Sequence, residues 1–340
     1  MDKRLKIILL WIIILVTGVY RHVDASTWSE INPTTSPPAS SGHTLAYDNK
    51  NNVVVMFGGK NVSGRLNDTW IYDISTGKWS SPNPSNPPPH RSSHSMVYDS
   101  ENEVIVLFGG IDANGELNDT WIYDIISNQW IKKLPSLSPP ARSDAAIAYD
   151  PVNGIVILFG GQKAGISLAD TWIYNASANT WTDMNPVNAP SARELLSMGY
   201  DLVNQRVVLF GGDGGCLAGG LCNDTWEYDF AQNQWTERIA DGDLISPQAR
   251  VSHSLSYIGG GKLLLFGGRP NGGLPLDNIW TYDYAANLWI QEIVAPSPSA
   301  RIGHEIVYIG GNKVLLFGGN TGSIDLNDTW IYESQMSLSG

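Results

Sequence analysis

The chain has 340 residues with 33 acidic and 21 basic side chains, so its formal net charge is -12. Hydrophobic residues make up 42%, enough for a large core, which excludes a wholly disordered chain. Net acidity without a block of Lys or Arg argues against nucleic acid or an anionic membrane as the main partner. The count of 13 Trp against 7 Phe is unusual and calls for a structural cause.

The first 25 residues have the pattern of a secretory signal peptide. Basic residues precede the apolar run 7–20, and Val23 and Ala25 occupy the small-residue positions before a cleavage site. We therefore predict cleavage after Ala25, an exported chain and no membrane attachment after cleavage. An uncleaved signal anchor stays open as the alternative, although this apolar run is short for a membrane span of roughly 20 residues.

The remaining chain consists of six repeats of about fifty residues. Phe-Gly-Gly occurs six times, at intervals of 51, 51, 51, 56 and 51 residues. Each copy is followed by a Trp, mostly within Asn-Asp-Thr-Trp, and by a Tyr two residues later; five copies have a second Trp nine residues after the first. The repeats are centred on Phe57, Phe108, Phe159, Phe210, Phe266 and Phe317.

Each repeat predicts four short strands, a to d. In the second repeat these are residues 94–98, 104–108, 120–124 and 129–131, and strand b is continuously apolar, as in strands buried on both faces. Four-stranded units at this period predict an all-β, six-bladed β-propeller with antiparallel blades. The predicted domain spans 26–334 and leaves a short tail, 335–340.

The two ends of the chain complement each other. The sixth repeat has no strand d and no second Trp, whereas residues 27–31 near the N-terminus have the composition of a strand d. Trp28 lies twelve residues before Ser40, as Trp79 lies twelve before Arg91. We predict that the N-terminal strand completes the sixth blade and covers an edge that would otherwise invite aggregation.

The hydrophobic strand, Gly-Gly, Tyr and downstream Trp resemble the kelch-repeat family, the propeller class that includes galactose oxidase. The resemblance covers residues 27–333 and implies that partners bind at the face bearing the d–a and b–c connections. It also implies ligand contacts for arginines at the start of strand a, which are Arg91, Arg142, Arg193, Arg250 and Arg301. A structural role, with each Arg bonded to a neighbouring blade's Asp or to a backbone carbonyl, stays open.

Blades 4 and 5 depart from the repeat. The b–c loop 213–222 and the d–a loop 238–247 are longer than their counterparts, and a Gly-rich segment lies at 269–273. The first loop holds Cys216 and Cys222, which we expect to form a disulfide in an exported chain. Because functional differences concentrate in loops, these segments are the predicted binding patch.

Two kinds of site are suggested by short patterns. Histidines recur three residues after the arginine position in four of six blades, at His43, His94, His253 and His304, which supports a metal cluster only weakly; we expect no metal and no cofactor. The N-glycosylation triplet occurs six times, at Asn61, Asn67, Asn118, Asn175, Asn223 and Asn327.

These observations predict a secreted, monomeric recognition module that binds a protein or glycan partner and has no catalytic residues. The alternative is an exported carbohydrate-active enzyme similar to the kelch-type sialic-acid mutarotases, in which Glu194, Glu305 and the rim arginines would supply acid–base groups. A copper oxidase similar to galactose oxidase is disfavoured, because its Tyr-Cys crosslink has no counterpart when the cysteines pair with each other.

Overall fold

The computed structural model describes residues 26–217 and 219–335. The predicted signal peptide, 1–25, and nearly all of the predicted tail lie outside the described residues. The described chain is a six-bladed β-propeller of four-stranded antiparallel blades, which confirms the predicted fold. Within this part of the chain there is no helix long and apolar enough to cross a membrane.

In each blade the four strands follow the order a, b, c, d from the channel outwards. The a strands are Thr44–Asp48, Ser95–Asp99, Ala146–Asp150, Ser197–Asp201, Ser254–Gly259 and Glu305–Tyr308. The b strands are Val53–Phe57, Val104–Phe108, Ile155–Phe159, Arg206–Phe210, Lys262–Phe266 and Lys313–Asn320. The c strands are Thr69–Asp73, Thr120–Asp124, Thr171–Asn175, Thr225–Asp229, Ile279–Asp283 and Asp325–Glu333. The d strands of blades 1 to 5 are Lys78–Ser80, Gln129–Lys133, Thr180–Asp183, Gln234–Ile239 and Leu288–Glu292.

Four of the b–c connections also contain a hairpin of two short strands that the repeat pattern did not predict. The hairpins pair Lys60–Asn61 with Gly64–Arg65, Ile111–Asp112 with Gly115–Glu116, Gln162–Lys163 with Ile166–Ser167, and Asp213–Cys216 with Gly220–Leu221. The a strands of neighbouring blades contact each other and surround the channel, so the residues that face the channel come from strand a.

The N-terminal strand Thr27–Ile31 is strand d of blade 6. It pairs antiparallel with the last c strand, with Trp28 opposite Tyr332. Trp28 is 2% exposed and packs between Tyr332 of its own blade and Phe266 of blade 5, at centroid distances of 5.2 and 5.5 Å. The predicted closure of the ring is therefore confirmed.

The second Trp of each repeat connects neighbouring blades. Each packs on the Phe of the preceding blade's Phe-Gly-Gly, in the pairs Trp79–Phe317, Trp130–Phe57, Trp181–Phe108, Trp235–Phe159, Trp289–Phe210 and Trp28–Phe266. In five blades the indole N–H also donates to the Thr that begins strand c of the preceding blade, as Trp235 Nε1 does to Thr171 Oγ1 at 2.9 Å. In blade 5 Ile279 replaces this Thr, so Trp28 Nε1 has no partner among the described residues. The Trp excess thus has its cause at the blade interfaces.

Candidate functional site

The channel opens into a cavity at the face where the d–a and b–c connections emerge, which we call the upper face. This upper cavity has a volume of about 750 Å³, and all six blades contribute to its lining. It lies on the face where the sequence predicts partner binding. It is concave and of the size of a small-molecule or peptide side-chain pocket.

A closed ring of six backbone hydrogen bonds surrounds this cavity, and we call it the collar. In each collar residue the N–H donates to the carbonyl oxygen of the collar residue in the preceding blade, over 2.8–3.1 Å. The collar consists of Gly42, Ser93, Asp144, Leu195, Ser252 and Gly303, all of which line the cavity. Their φ angles lie between 55° and 64°, a conformation that non-glycine residues adopt at a cost.

The collar was not found from the sequence, because its positions share no residue type. The one signal is positional, since each collar residue lies two residues after a rim arginine or, in blade 1, after Ser40. The ring forms because the backbone N–H and C=O groups of each collar residue point toward the neighbouring blades, and it requires no particular side chain. Its side chains are therefore free to differ, and they give the cavity its asymmetry.

The five arginines predicted to contact ligand lie inside the propeller wall and are at most 1% exposed. Arg142 donates to both carboxylate oxygens of Asp170 at 2.6 and 2.7 Å and to the carbonyl oxygen of Gly160 at 2.9 Å. The same bidentate pairs occur as Arg91–Asp119, Arg193–Asp224 and Arg301–Asp328. The acid belongs to the arginine's own blade, not to a neighbouring blade. This geometry corresponds to the structural role that the sequence left open.

In blades 2, 3, 4 and 6 the Asp two residues before the first Trp bonds both the arginine and the indole N–H of that Trp. Asp170 accepts from the Trp172 indole N–H at 2.6 Å as well as from Arg142. Burial alone would raise the pKa of Asp170, but the Arg142 guanidinium and the indole N–H hold that pKa below its usual value. The Asp therefore stays ionised and anchors strand c to the start of strand a.

The backbone of each arginine also ties its blade to the preceding one. Arg142 N–H donates to Leu117 O at 2.9 Å, and Gly110 N–H donates to Arg142 O at 2.9 Å. The other four arginines and Ser40 make the corresponding pair of bonds. Each of these residues is thus a junction between two blades directly beneath the rim.

Blade 5 departs from this arrangement because Asn278 stands where other blades have Asp. Arg250 Nη1 donates to Asn278 Oδ1 at 2.7 Å, while Arg250 Nη2 and Trp280 Nε1 have no hydrogen-bond partner among the described residues. Without a carboxylate beside it, burial lowers the pKa of Arg250 to about 9. The arginine is retained here without its counter-ion.

The four histidines pack between blades and do not come together as a metal cluster. Each lies edge-on to the Phe of the preceding blade's Phe-Gly-Gly, as His94 does to Phe57 at a centroid distance of 5.5 Å. Burial lowers the pKa of His43 to about 4 and that of His253 to about 3, so these rings are neutral near pH 7. They fill the interfaces around the upper cavity.

Two carboxyl groups named by the sequence analysis have pKa values near neutrality. Burial, with Asp144 and Asp213 nearby, raises the pKa of Glu194 to about 7. Burial also raises the pKa of Glu305 to about 7. Glu194 lies at the upper rim beside the blade 4 hairpin, where its backbone pairs with Asp213. Glu305 lies deeper, where strand a of blade 6 enters the channel.

The opposite end of the channel forms a second cavity of about 420 Å³, which we call the lower cavity. Its walls are mainly aliphatic side chains of the a strands, and it is surrounded by one Tyr from each blade. These are Tyr47, Tyr98, Tyr149, Tyr200, Tyr257 and Tyr308. Glu305 alone among the lining residues contributes to both cavities, so it marks the boundary between them.

The long loops of blades 4 and 5 contact each other at the upper rim. Cys216 and Cys222 are joined by a disulfide bond. The carboxylate of Asp241 in the next d–a loop accepts from Leu217 N–H at 2.7 Å and from Asn223 N–H at 3.0 Å. The two loops therefore form one unit that the sequence predicted only as two insertions on the same face.

This unit presents an apolar surface to solvent, the blade 4–5 patch. It comprises Leu217, Leu244 and Ile245 of this unit, which are 83%, 97% and 64% exposed, together with Leu274 on the b–c loop of blade 5, which is 84% exposed. Asp213, Asp241 and Asp243 lie on the same loops, so the surroundings of the patch are acidic. Exposed apolar residues grouped beside a cavity are typical of an interaction surface.

Among the described residues, Cys216, Cys222 and Asp224 are a group whose potential metal-ligand atoms lie within 4.8 Å of one another. The two sulfur atoms are bonded to each other and offer no thiolate to a metal. Asp224 is already paired with Arg193. This group is therefore a poor metal site.

The six glycosylation triplets differ in their accessibility. Asn118 and Asn327 are exposed, whereas Asn61, Asn67 and Asn175 are half-buried. Asn223 is buried, and its amide nitrogen, the atom that would carry a glycan, donates to Asp243 O at 2.8 Å. Asn223 is therefore the least favourable acceptor of the six.

Comparisons with known proteins agree with this architecture. A family model described as the KLHDC2/KLHL20/DRC7 Kelch-repeats domain matches residues 16–212, 133–249 and 200–338. Putative adagio-like protein 2 of Oryza sativa subsp. japonica is 27% identical over an alignment of 326 positions that covers 88% of this chain and 50% of that protein. An F-box/kelch-repeat protein of Arabidopsis thaliana is 30% identical over an alignment of 271 positions that covers 73% of this chain and 55% of the relative.

A more distant relative is Multiple epidermal growth factor-like domains protein 8 of Mus musculus, which is 24% identical over 89% of this chain but only 12% of its own length. The chain spans about half the length of the two plant relatives. The match to the family model extends over most of the chain, in agreement with the six repeats and the closed propeller. The chain belongs to the kelch-repeat family.

Proposed function

We propose that this propeller is a recognition module that binds a protein partner at its upper face, with the blade 4–5 patch and the upper cavity as the contact surface. The observation that carries the proposal is the patch itself. Four apolar side chains are 64 to 97% exposed on loops that break the repeat, beside a cavity of about 750 Å³. Such residues cost solubility and contribute nothing to the blades, so binding is the role that accounts for them.

The loops are also built to hold the patch in position. Asn223 accepts from Gly242 N–H at 2.7 Å and donates to Asp243 O, while Asp241 holds the backbone at Leu217. A surface that is ordered before binding loses less conformational freedom when the partner docks. The acidic residues around the patch favour a partner segment that combines apolar and basic side chains.

Membership of the kelch family supports a role in protein interaction. The Arabidopsis relative is named as an F-box protein with kelch repeats, and this chain matches about half of its length. The comparison thus concerns the propeller and not the remainder of that protein. A glycan partner is the second form of the same proposal, because the upper cavity has both polar and apolar lining.

The experiment is affinity capture on the full chain, with a glycan array as a parallel arm. The double variant Leu217→Ser, Leu244→Ser should lose the captured partner. The matched control is Ile126→Ser, which removes an 80% exposed apolar side chain at the c–d turn of blade 2, away from the upper face. Retention of the partner by the patch variant, or equal loss in both variants, would contradict the proposal. Patch-dependent binding to glycans alone would assign a glycan partner.

Export is part of the proposal and depends on the N-terminal segment. The full chain with a C-terminal tag should appear in the medium of a eukaryotic host with Ser26 as its first residue. Retention inside the cell with Met1 intact would reject export. Mass spectrometry of the same sample tests glycans at the two exposed acceptors, Asn118 and Asn327.

The carbohydrate-active enzyme remains a second candidate because of one observation. Glu194 and Glu305 have pKa values raised to about 7, a value suited to general acid–base catalysis. The test is mutarotation of sialic acid followed by NMR with the parent chain and with Glu194→Gln and Glu305→Gln. A rate equal to that of the buffer alone would reject this candidate.

A further inference from the structure

One level of the propeller, between the upper and lower cavities, carries the first residue of each a strand, and one of the six is unlike the others. These are the first residues of the a strands, each opposite the Phe of Phe-Gly-Gly in strand b. They are Thr44, Ser95, Ala146, Ser197, Ser254 and Glu305, and we call them the neck. Five are small. Only blade 6 places a long, ionisable side chain at this level.

The hydroxyl groups of the neck already have structural partners. Ser197 Oγ accepts from Leu255 N–H at 2.9 Å, and Ser254 Oγ accepts from Ile306 N–H at 3.0 Å, so each ties its blade to the next. Ser95 Oγ donates to Ala145 O at 2.7 Å. The repeat therefore needs a small hydroxyl or methyl group here, and a carboxyl group is not required for folding.

Glu305 has one hydrogen bond and no cationic partner among the described residues. Its Oε1 accepts from Ser254 Oγ at 2.9 Å, and it takes part in no ion pair in this part of the chain. The adjacent His304 is buried and neutral, because burial holds its pKa well below the usual value. A half-buried carboxyl group without a counter-charge carries a desolvation cost, so its presence calls for a role other than stability.

The lower cavity can hold the apolar end of a ligand, and Glu305 can bind a cationic end. Apart from Glu305, no lining residue of the lower cavity is charged. Its walls include Met198, Leu255 and Val307, and six tyrosines surround it. An aliphatic chain would pack against these walls, and a cation would meet the carboxylate at the neck. Tyrosine rings also attract cations through their electron-rich faces.

We infer that the lower cavity binds a primary ammonium group on an aliphatic chain, with the ammonium group on Glu305 and the chain along the apolar wall. Above pH 7, where Glu305 is ionised, its carboxylate repels an anionic ligand. A single carboxylate with hydroxyl neighbours has too few oxygen ligands for Ca²⁺ or Mg²⁺. Glu305 lines both cavities, but the blade 4–5 patch lies outside the lower cavity, so the patch variants and Val307→Trp test the two proposals independently.

The test is calorimetric titration of the full chain with butylamine, hexylamine and octylamine. Affinity should rise about fourfold for each added methylene, as expected for burial of an aliphatic chain. Hexylamine should bind more tightly than 1-hexanol, and hexanoate should not bind. Equal affinity for hexylamine and hexanoate would overturn the inference.

Two variants locate the site. In Glu305→Gln, hexylamine should bind about 10- to 100-fold more weakly, with 1-hexanol unchanged. The charge-matched control is Glu30→Gln, which removes an exposed carboxylate from strand d of the same blade and should leave binding unchanged. In Val307→Trp, the added ring should fill the lower cavity and abolish binding of the long amines while Glu305 is kept. Circular dichroism confirms that each variant is folded. Unchanged hexylamine binding in either variant would overturn the inference.

The ammonium group can come from a free amine or from a lysine side chain. The peptide acetyl-Gly-Gly-Lys-Gly-Gly-amide presents the lysine form, and butylamine presents the free form of the same length. Binding of both with loss in Glu305→Gln assigns the chemistry to a lysine of a partner. Binding of the amine alone assigns it to a small molecule, and binding of neither rejects the site.

Discussion

The N–H of Gly42 donates to the carbonyl oxygen of Gly303 at 2.8 Å, and this bond joins the first blade to the sixth at the channel mouth. It closes the collar 14 residues after Trp28 closes the outer edge of blade 6. The ring is therefore closed twice, by a strand at the periphery and by a hydrogen bond at the axis. The two closures predict different responses to mutation.

The glycine positions of the rim should differ in their tolerance of a side chain. At Gly42 a Cβ would meet Ser93 N at 3.5 Å, an ordinary contact, and other blades place Ser, Asp or Leu at this position. At Gly110 a Cβ would lie 2.7 Å from His94 Cβ and 2.8 Å from Ser92 O. The φ angle of Gly42 is 64°, in the left-handed region that other residues adopt, whereas that of Gly110 is 92°, so both the clash and the backbone disfavour a side chain at Gly110. We expect Gly42→Ala to cost about 1 kcal/mol and Gly110→Ala about 3 kcal/mol in urea unfolding. Equal costs would contradict this reading of the collar.

Blade 5 offers a test of the buried arginine pairs that should increase stability. Asn278→Asp gives Arg250 a carboxylate and gives the Trp280 N–H an acceptor, as in blades 2, 3, 4 and 6. We expect a gain of roughly 1–3 kcal/mol at pH 7, measured by urea unfolding. The converse variant, Asp170→Asn, should lose a similar amount in blade 3.

The gain in Asn278→Asp has a defined pH dependence. Beside Arg142 the pKa of Asp170 lies below its usual value, and the new Asp should behave in the same way. Its contribution is then fully present above the unfolded-state pKa, about 4, and is lost as the pH falls through the lower folded-state pKa. A gain that persists undiminished far below both pKa values would show that charge pairing is not its source.

The outer closure depends on Trp28. Trp28→Ala removes a large side chain that is 2% exposed between blades 5 and 6, so we expect a loss of about 3–5 kcal/mol in thermal or urea unfolding. Thr27→Ala is the control, because Thr27 is exposed on the same strand and pairs only through its backbone. Deletion of residues 26–32 should lower stability further. A Trp28→Ala variant as stable as the control would reject the closure by this strand.

The sequence predicted the propeller because each blade repeats what every blade needs. Strands b and c of blade 2 have the predicted bounds, since Phe-Gly-Gly and Asn-Asp-Thr-Trp mark their ends. Strand a begins one residue later than predicted, at Ser95, and this register places Ser95 at the neck. Repeat spacing predicts the strands, but it does not show which residues of the six a strands lie at the same level around the channel. The neck and the collar could therefore not be derived from repeat spacing.

The hydrogen-bond partners of the arginines also could not be predicted from the sequence. Arg142 and Asp170 are 28 residues apart, and both recur in most blades, so the pattern could not distinguish a partner in the same blade from one in the next. Cavity shape depends on all six blades together. Glu305 was named from the sequence as a carboxyl group near the rim, and only the structure places it between two cavities.

The carboxyl group of Glu305 should make stability fall as the pH rises. Its folded-state pKa of about 7 lies above its usual value of 4.5 because burial disfavours the charged form. Below pH 4.5 the group is protonated in both the folded and the unfolded chain and carries no penalty. Between pH 4.5 and 7 the unfolded chain loses its proton first, so the penalty grows at about 1.4 kcal/mol per pH unit, to roughly 3 kcal/mol. Glu305→Gln removes this penalty, so its stability relative to the parent chain should increase from pH 4.5 to pH 7 and stay constant above.

Glu194→Gln provides the comparison for this pH profile. The pKa of Glu194 is also raised to about 7, first by burial but also by Asp144 and Asp213. Salt screens repulsion between partly exposed carboxylates, whereas it changes a burial penalty little. The pH-dependent gain of Glu194→Gln should therefore shrink in 1 M NaCl, and that of Glu305→Gln should persist. Thermal unfolding of the parent chain and both variants between pH 4 and pH 8, at low and high salt, measures both effects. A Glu305→Gln gain that disappears in salt would mean that neighbouring charges, and not burial in the channel, set the pKa of Glu305.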